Sequence, residues 1–295
     1  MTRAGFVALL GFPNAGKSTL FNRLVGERLA AITPKPQTTR FNISAVLTRE
    51  NIQYAFVDTP GWISQPKNIW HKALTHQSLS AARDADVQVW VLSLQQRMES
   101  LPDSVEAFLL KAPALVAAFT HGDLLAPDER TTRIAILQQE LARFPFKGWI
   151  DVSTDQSLDD FLTLVGNLLP ESPFLYPTDI LTTLPTRFFV AEILREVLFM
   201  YLREELPYGT EVEIIQYKEG EHQDYIAATI YVEKDSHKPI VIGQGGKMLK
   251  KIGMTARQQI EQFIQKPVYL ELYVKVAPHW RRSVHRLHSL GYKTP

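Results

Sequence analysis

The sequence predicts an α/β domain, a mostly parallel sheet with helices on its faces, followed by a smaller α+β domain. Three observations carry this. From Phe6 to about Leu169, short β-rich runs alternate with helical segments. The stretch Leu169-Pro-Glu-Ser-Pro-Phe-Leu-Tyr-Pro177, with three prolines, then reads as an extended, semi-rigid linker. Beyond it come one long helical pattern, two strands, a glycine-rich turn, a helix and a last strand. The expected boundaries are 1–170 for the first domain, 171–180 for the linker, 181–277 for the second domain and 278–295 for a basic tail.

In the first domain the expected strands are Phe6–Leu10, Phe41–Leu47, Ile52–Val57, Val87–Leu92, Ala114–Phe119 and Gly148–Val152. The second and third are close enough to form a hairpin. In the second domain a helix is expected from Thr186 to Glu205, with strands at Glu211–Tyr217 and Tyr225–Val232. A helix at Lys247–Ile264 and a strand at Val268–Val276 complete it. At 295 residues the chain can bury two cores. With no cysteine it has neither disulfides nor thiolate metal sites, and a reducing compartment fits. No apolar run approaches the ~20 residues a membrane span needs. The N-terminus leads into the first strand without room for a cleavable signal, so the expected location is the cytoplasm. A net charge of +1 confines any nucleic-acid surface to a local patch.

Between the first strand and a helical run, Gly11-Phe-Pro-Asn-Ala-Gly16-Lys17-Ser18 follows the pattern G-x-x-x-x-G-K-[ST]. A strand, a glycine-bearing loop and a helix start are what a polyphosphate needs, because backbone N–H groups and the positive helix end face the anion. Gly11, Asn14, Ala15, Gly16 and Thr19 line such a loop. Lys17 would reach the β- and γ-phosphate oxygens, and the Ser18 hydroxyl would ligate Mg²⁺. Asp58-Thr59-Pro60-Gly61 comes directly after a strand. The Asp58 carboxylate can hold the Mg²⁺ shell, and the Gly61 N–H can sense the γ-phosphate; an ordinary proline–glycine turn is the alternative. Thr38 and Thr39 in Pro36-Gln-Thr-Thr-Arg40 read either as a γ-phosphate-dependent metal ligand or as a plain turn pair.

These residues resemble the Era family of GTPases, in the family's order and over nearly the whole chain. The resemblance implies a GTPase domain binding GTP or GDP with Mg²⁺, and it favours Thr39 over Thr38 as the metal ligand. It also aligns Asn14 with a loop asparagine that helps hold a K⁺ ion in related GTPases; bracing the loop is the other reading. Trp62 stands where many small GTPases carry a water-orienting glutamine. No side-chain base is evident, so catalysis rests on Lys17, Thr39, Gly61 and the metal, and intrinsic turnover is expected to be slow.

The guanine pocket departs from the family pattern of Asn-Lys-x-Asp. Asp123 is in place and can accept both the N1–H and N2–H of guanine, a donor pair that adenine lacks. Thr120 replaces the asparagine that braces base and loop, and His121 replaces a lysine whose stem packs on the base. Losing one or two contacts of about 1 kcal/mol each would weaken binding roughly five- to thirty-fold. Ser153 and Thr154 stand at the last base element. An RNA-binding assembly factor with a degenerate nucleotide domain is therefore the rival reading.

In the second domain, Gly243-Gln244-Gly245-Gly246 followed by Lys247, Lys250 and Lys251 fits the G-x-x-G clamp of a KH module, which grips single-stranded nucleic acid. The flanking order matches a type II KH domain, and Ala256-Arg257 and Leu270–Val276 resemble the Era version. A solvated lysine face is the alternative. Lys275, Arg281, Arg282 and Arg286 would add phosphate contacts, while Trp280 is expected to pack. The resemblance implies the 3′ region of 16S ribosomal RNA as target during small-subunit assembly, and relatives also suggest peripheral membrane contact.

Overall fold

The computed structural model describes residues 1–154 and 156–294; of Gln156 only the backbone is described. The first domain runs β1 (Arg3–Leu10), α1 (Lys17–Val25), β2 (Ile43–Arg49), β3 (Ile52–Asp58), α2 (Ile69–Asp84), β4 (Val87–Ser93), α3 (Asp103–Leu109), β5 (Leu115–Thr120), α4 (Pro127–Glu140), β6 (Phe146–Asp151) and α5 (Gln156–Leu168). The strand order is β2-β3-β1-β4-β5-β6. Only β2 is antiparallel, paired with β3 as a hairpin.

Side-chain alternation divides the core in two. Val7, Leu9, Val89, Val91, Val116 and Ala118 face α1 and α5, whereas Ala8, Leu10, Trp90, Leu92, Leu115 and Phe119 face the opposite layer. Both faces of β4 are covered, which is why its sequence is almost continuously apolar. Chain order turns back between β1 and β4, so the loop after β1 lies at the topological switch point where open α/β sheets bind ligands.

The second domain comprises α6 (Thr186–Tyr201), β7 (Thr210–Lys218), β8 (Asp224–Val232), α7 (His237–Ile242), α8 (Lys247–Ile264) and β9 (Val268–Val276). Its sheet, β7-β8-β9, has β7 antiparallel and β9 parallel to β8. The helices cover one face, burying Val190, Leu194, Val197, Ile252, Ala256 and Ile260 against Ile226, Ala228 and Ile230. A last helix, α9 (Val284–Ser289), follows.

Against the sequence expectation β1 begins earlier, at Arg3, and β6 runs Phe146–Asp151 in place of Gly148–Val152; four further features differ. The strand expected from Phe41 begins at Ile43, because Phe41 stacks on Tyr292 at 4.7 Å and leaves the sheet. The helix expected to reach Glu205 ends at Tyr201, where Leu202 turns extended. The short helix α7 was not foreseen, since six residues containing Pro239 carry no readable period. Residues 278–294, read as a basic tail, fold back. Trp280, Leu287 and Tyr292 are buried with Trp70 and Leu74 of the first domain, and the Trp280 indole N–H donates to the Gly209 carbonyl at 3.1 Å. Arg281 is ion-paired with Glu233, while Arg282 and Arg286 stay exposed.

The proline-rich segment is extended and held along the first domain. The Gln53 side-chain carbonyl accepts from the N–H groups of Leu175 (2.8 Å) and Tyr176 (2.9 Å), and its amide donates to the Tyr176 carbonyl (2.9 Å). The chain then lies beside the sheet edge, where Val46 N–H donates to the Leu181 carbonyl at 2.7 Å.

Candidate nucleotide site and nucleic-acid groove

The loop Gly11–Gly16 connects β1 to α1, whose first residue is Lys17. The Lys17 ammonium is buried and donates to the carbonyls of Gly11 (3.1 Å) and Phe12 (2.8 Å), so it is held over the loop. Burial lowers its pKa to about 8, and attraction to Asp58 offsets only part of that. Asp58 ends β3 and is fully buried; burial pushes its carboxyl up to about 6 against the opposing effects of Lys17, Ser18 and Thr39. Ser18 Oγ donates to Asp58 Oδ2 at 2.6 Å, and Thr39 Oγ1 lies 2.9 Å from Ser18 Oγ and 3.5 Å from Asp58 Oδ2. Asp58 Oδ1 is buried without a hydrogen-bond partner.

Three hard oxygen donors thus converge beside a carboxylate oxygen that no described group hydrogen-bonds, and that set fits Mg²⁺. Thr38 points elsewhere: its hydroxyl bonds the Thr33 hydroxyl (2.6 Å) and the Lys35 carbonyl (2.9 Å). Asn14 donates its amide to the Pro34 carbonyl at 3.2 Å, tying the loop to the same segment.

Gly61 presses against the loop. A Cβ there would sit 2.7 Å from the Pro13 nitrogen, so only glycine allows this approach. Thr59, behind it, donates to the Leu9 carbonyl at 2.7 Å. Trp62 is wholly buried against Phe12 and Trp90, and its backbone N–H donates to the Gly11 carbonyl at 3.1 Å. Its side chain therefore clamps the loop from beneath.

Beside the loop lies a second cleft of about 340 Å³, bordered by Gly16, Thr19, Arg23, Thr120, His121, Asp123, Ser153 and Thr154 among others. Thr120 donates its hydroxyl to the Ala15 carbonyl at 2.7 Å, so it braces the phosphate loop from the end of β5. His121, at a positive φ of 60°, is tied through Nδ1 to the Ser93 hydroxyl at 2.8 Å. Ser153 Oγ accepts from the Gly122 N–H at 2.8 Å, joining the two base elements. Asp123 is exposed at the cleft, and the Thr154 N–H donates to Ser157 Oγ at 3.3 Å. The bracing by Thr120 and the Arg23 wall were not read from the sequence; the hydroxyl at Thr120 was the available signal for the first.

In the second domain the G-x-x-G turn joins α7 to α8. Gly243 takes φ 75°, and a Cβ there would meet the Met248 nitrogen at 2.7 Å. A groove of about 510 Å³ runs from Gly246 past Leu249, Lys250, Met254 and Arg257 to Leu270 and Leu272 of β9. Gln244, Gly245 and Lys247 are exposed at its end, whereas the Lys251 ammonium lies 4.6 Å from the Tyr201 ring. Met254 and the β9 leucines, an apolar wall of this groove, were missed because their spacing reads equally as core. Among the described residues no cluster of three or more His, Asp or Glu suits a metal ion, and no helix is long and apolar enough to cross a membrane.

A strand–loop–helix phosphate cradle, a carboxylate and a threonine converging on one metal position, and a G-x-x-G groove define a class: a nucleotide-switch protein carrying a KH module. Comparison agrees, since a family model described as "50S ribosome-binding GTPase" matches residues 6–120 and a "KH domain" model matches residues 205–281. GTPase Era of Geobacter metallireducens is 40% identical over 98% of this chain and 98% of its own, and that of Nitratidesulfovibrio vulgaris is 39% identical over 98% and 96%. Among solved structures, Era in complex with MgGDPNP and nucleotides 1506–1542 of 16S ribosomal RNA superposes with a TM-score of 0.91 at 31% identity. A point variant of Aquifex aeolicus Era bound to GDP·AlF4⁻ gives 0.88 at 31%. Each structure covers 99% of this chain and is itself covered to 99%. The chain belongs to the Era family of GTPases.

Proposed function

We propose that this protein hydrolyses GTP to GDP and phosphate, and that the triphosphate state governs binding of its KH module to the 3′ region of 16S ribosomal RNA during small-subunit assembly. The observation that carries the reading is the convergence of Ser18, Thr39 and Asp58 at the mouth of the phosphate loop. Loop N–H groups and Lys17 bind the β- and γ-phosphates, and Gly61 N–H meets the γ-phosphate. Ser18, Thr39 and Asp58 would hold Mg²⁺, which when bound neutralises charge developing on the phosphate oxygens. Water attacks the γ-phosphorus as the bond to the bridging oxygen breaks. With the Trp62 side chain packed in the core, no base is offered from that position, which supports slow intrinsic turnover.

Asp123 selects guanine, with Thr120, His121, Ser153 and Thr154 around the base. The bond from Thr120 to the loop supports a working pocket over a degenerate one, because it supplies the brace that the missing asparagine would give. The resemblance to the RNA-bound relative supports Gly243, Gln244, Gly245, Gly246, Lys247, Lys250 and Lys251 as the RNA grip. Cytoplasmic residence with peripheral contact at the inner membrane face is part of the same proposal, and cell fractionation tests it. The function itself is tested by titrating labelled GTP, GDP and ATP with Mg²⁺, then measuring turnover with and without a 16S 3′-end oligonucleotide. Micromolar or tighter GTP binding with ATP rejection is expected; equal or absent binding of all three favours the degenerate domain. Exchanging sodium for potassium in the same assay tests the cation reading of Asn14.

A further inference from the structure

Thr39 lies in the segment Lys35–Arg40, and both ends of that segment are fastened outside the nucleotide domain. At one end the Lys35 ammonium donates to the carbonyls of Phe199 and Leu202, the latter at 2.6 Å. Helix ends leave such carbonyls without intrahelical partners, so α6 offers them freely. At the other end Arg40 is wholly buried. Its guanidinium donates to the carbonyls of Thr210 (2.5 Å) and Pro207 (3.0 Å) and to Glu211 Oε2 (3.0 Å), and it lies over the rings of Trp70 and Phe199.

Glu211 is itself fixed, since Oε1 accepts from Arg195 at 2.8 Å and Oε2 from the Tyr292 hydroxyl. Arg195 pairs in turn with Glu192. None of these bonds reaches the phosphate loop itself. What they add to the segment's own bonds, from Thr38 to Thr33 and from Thr39 to Ser18, is an attachment to the second domain at each end. A buried guanidinium leaves its acceptors only at large cost, and Thr39 is one Cα–Cα step of about 3.8 Å from Arg40.

We propose that the KH module positions Thr39 for the nucleotide: the end of α6 and Glu211 seat Lys35 and Arg40, and this two-point seat keeps the Thr39 hydroxyl beside Ser18 and Asp58. Arg40 is a positioning residue, acting on the nucleotide only through Thr39. Movement of α6 and β7 relative to the sheet domain therefore withdraws Thr39, and any ligand that needs Thr39 in place favours this docking of the KH module in equal measure. This rests on the GTPase reading above.

The test uses the full chain and its Arg40→Met and Glu211→Gln variants, with affinities for GDPNP and GDP measured in Mg²⁺. Because Thr39 serves the triphosphate state, GDPNP affinity is expected to fall about tenfold while GDP affinity stays within about twofold, the scale of one lost charged contact. Thr39→Ala alone should cost about tenfold for GDPNP, yet less than about threefold on the Arg40→Met background, since the contact is already lost there. A GDPNP-to-GDP ratio unchanged in both variants, or a full Thr39→Ala effect on the Arg40→Met background, overturns the proposal. Should Arg40→Met fail to fold, Lys35→Met and Glu211→Gln carry the same comparison, with retained binding of the 16S 3′-end oligonucleotide as the check on the KH fold. A wild-type chain that does not prefer GTP to ATP instead overturns the functional reading and this inference together.

Discussion

The two ends of the nucleotide cleft are built on opposite principles. At the phosphate end Lys17, Thr39 and Asp58 are buried, and every hydrogen bond among them runs to the loop, the following helix or each other. At the base end Asp123 and Thr154 are exposed, and the His121 ring is tied to the Ser93 hydroxyl. The family pattern is intact at the first end and altered at the second. Burial explains the difference: a changed group among desolvated charges leaves partners unpaired at several kcal/mol, whereas an exposed loop can exchange one brace for another. Thr120, itself buried at the end of β5, shows the exchange at the root of that loop, its hydroxyl reaching the Ala15 carbonyl where the family pattern has an asparagine.

Four measurements bear on that contrast. The largest effect is expected from Lys17→Ala, which should weaken GDPNP binding by about a hundredfold, the scale of a charge-assisted phosphate contact; titration with a fluorescent analogue reads it, and a loss below tenfold would break the contrast. The buried charges that continue from Arg40 should show in acid unfolding. Burial alone would raise the Glu211 carboxyl, but Arg195 and Arg40 bring it down to about 2. Its stabilisation is thus present above its ordinary pKa of 4.5 and is lost as pH falls towards 2, up to roughly 3 kcal/mol. Glu192, pushed up by burial, works in the opposite sense. Denaturant melts between pH 5 and pH 2 should be flatter for Glu211→Gln than for the wild-type chain.

Asp58→Asn should sharply weaken Mg²⁺-dependent GDPNP binding, because it removes the carboxylate from the Ser18–Thr39–Asp58 set. Affinity that stays within about threefold of wild type in a Mg²⁺ titration would break the contrast. The smallest effect belongs to the base end. Since Thr120 and His121 are each already engaged, Thr120→Asn with His121→Lys should tighten GTP by less than about threefold, well short of the range a simple count of lost contacts gives. A thirtyfold gain in calorimetric titration would show that the pocket is impaired after all.

Much of the nucleotide end was legible from spacing. The loop motif, the carboxylate after a strand and the glycine that follows are local patterns with a direct backbone reading. The choice of Thr39 over Thr38 came from resemblance and acquires a geometric reason in the partners each hydroxyl finds. The second-domain elements were also readable, except α7, which is too short to show a period. What could not be read were contacts whose two halves lie far apart in sequence. Phe41 reads as a strand residue until Tyr292 claims it, and the last eighteen residues read as a basic tail until Trp70 gives Trp280 and Tyr292 something to bury against.

By itself, then, the sequence determined the two kinds of fold, the phosphate loop and the G-x-x-G turn, because each depends on residues within a few positions of one another. Only the tertiary structure decided that Arg40 is held by the second domain, that Thr120 braces the loop and that Trp280 and Tyr292 pack between the domains. Those roles belong to buried polar groups, and a buried polar group takes its meaning from the partner that satisfies it, wherever in the chain that partner lies.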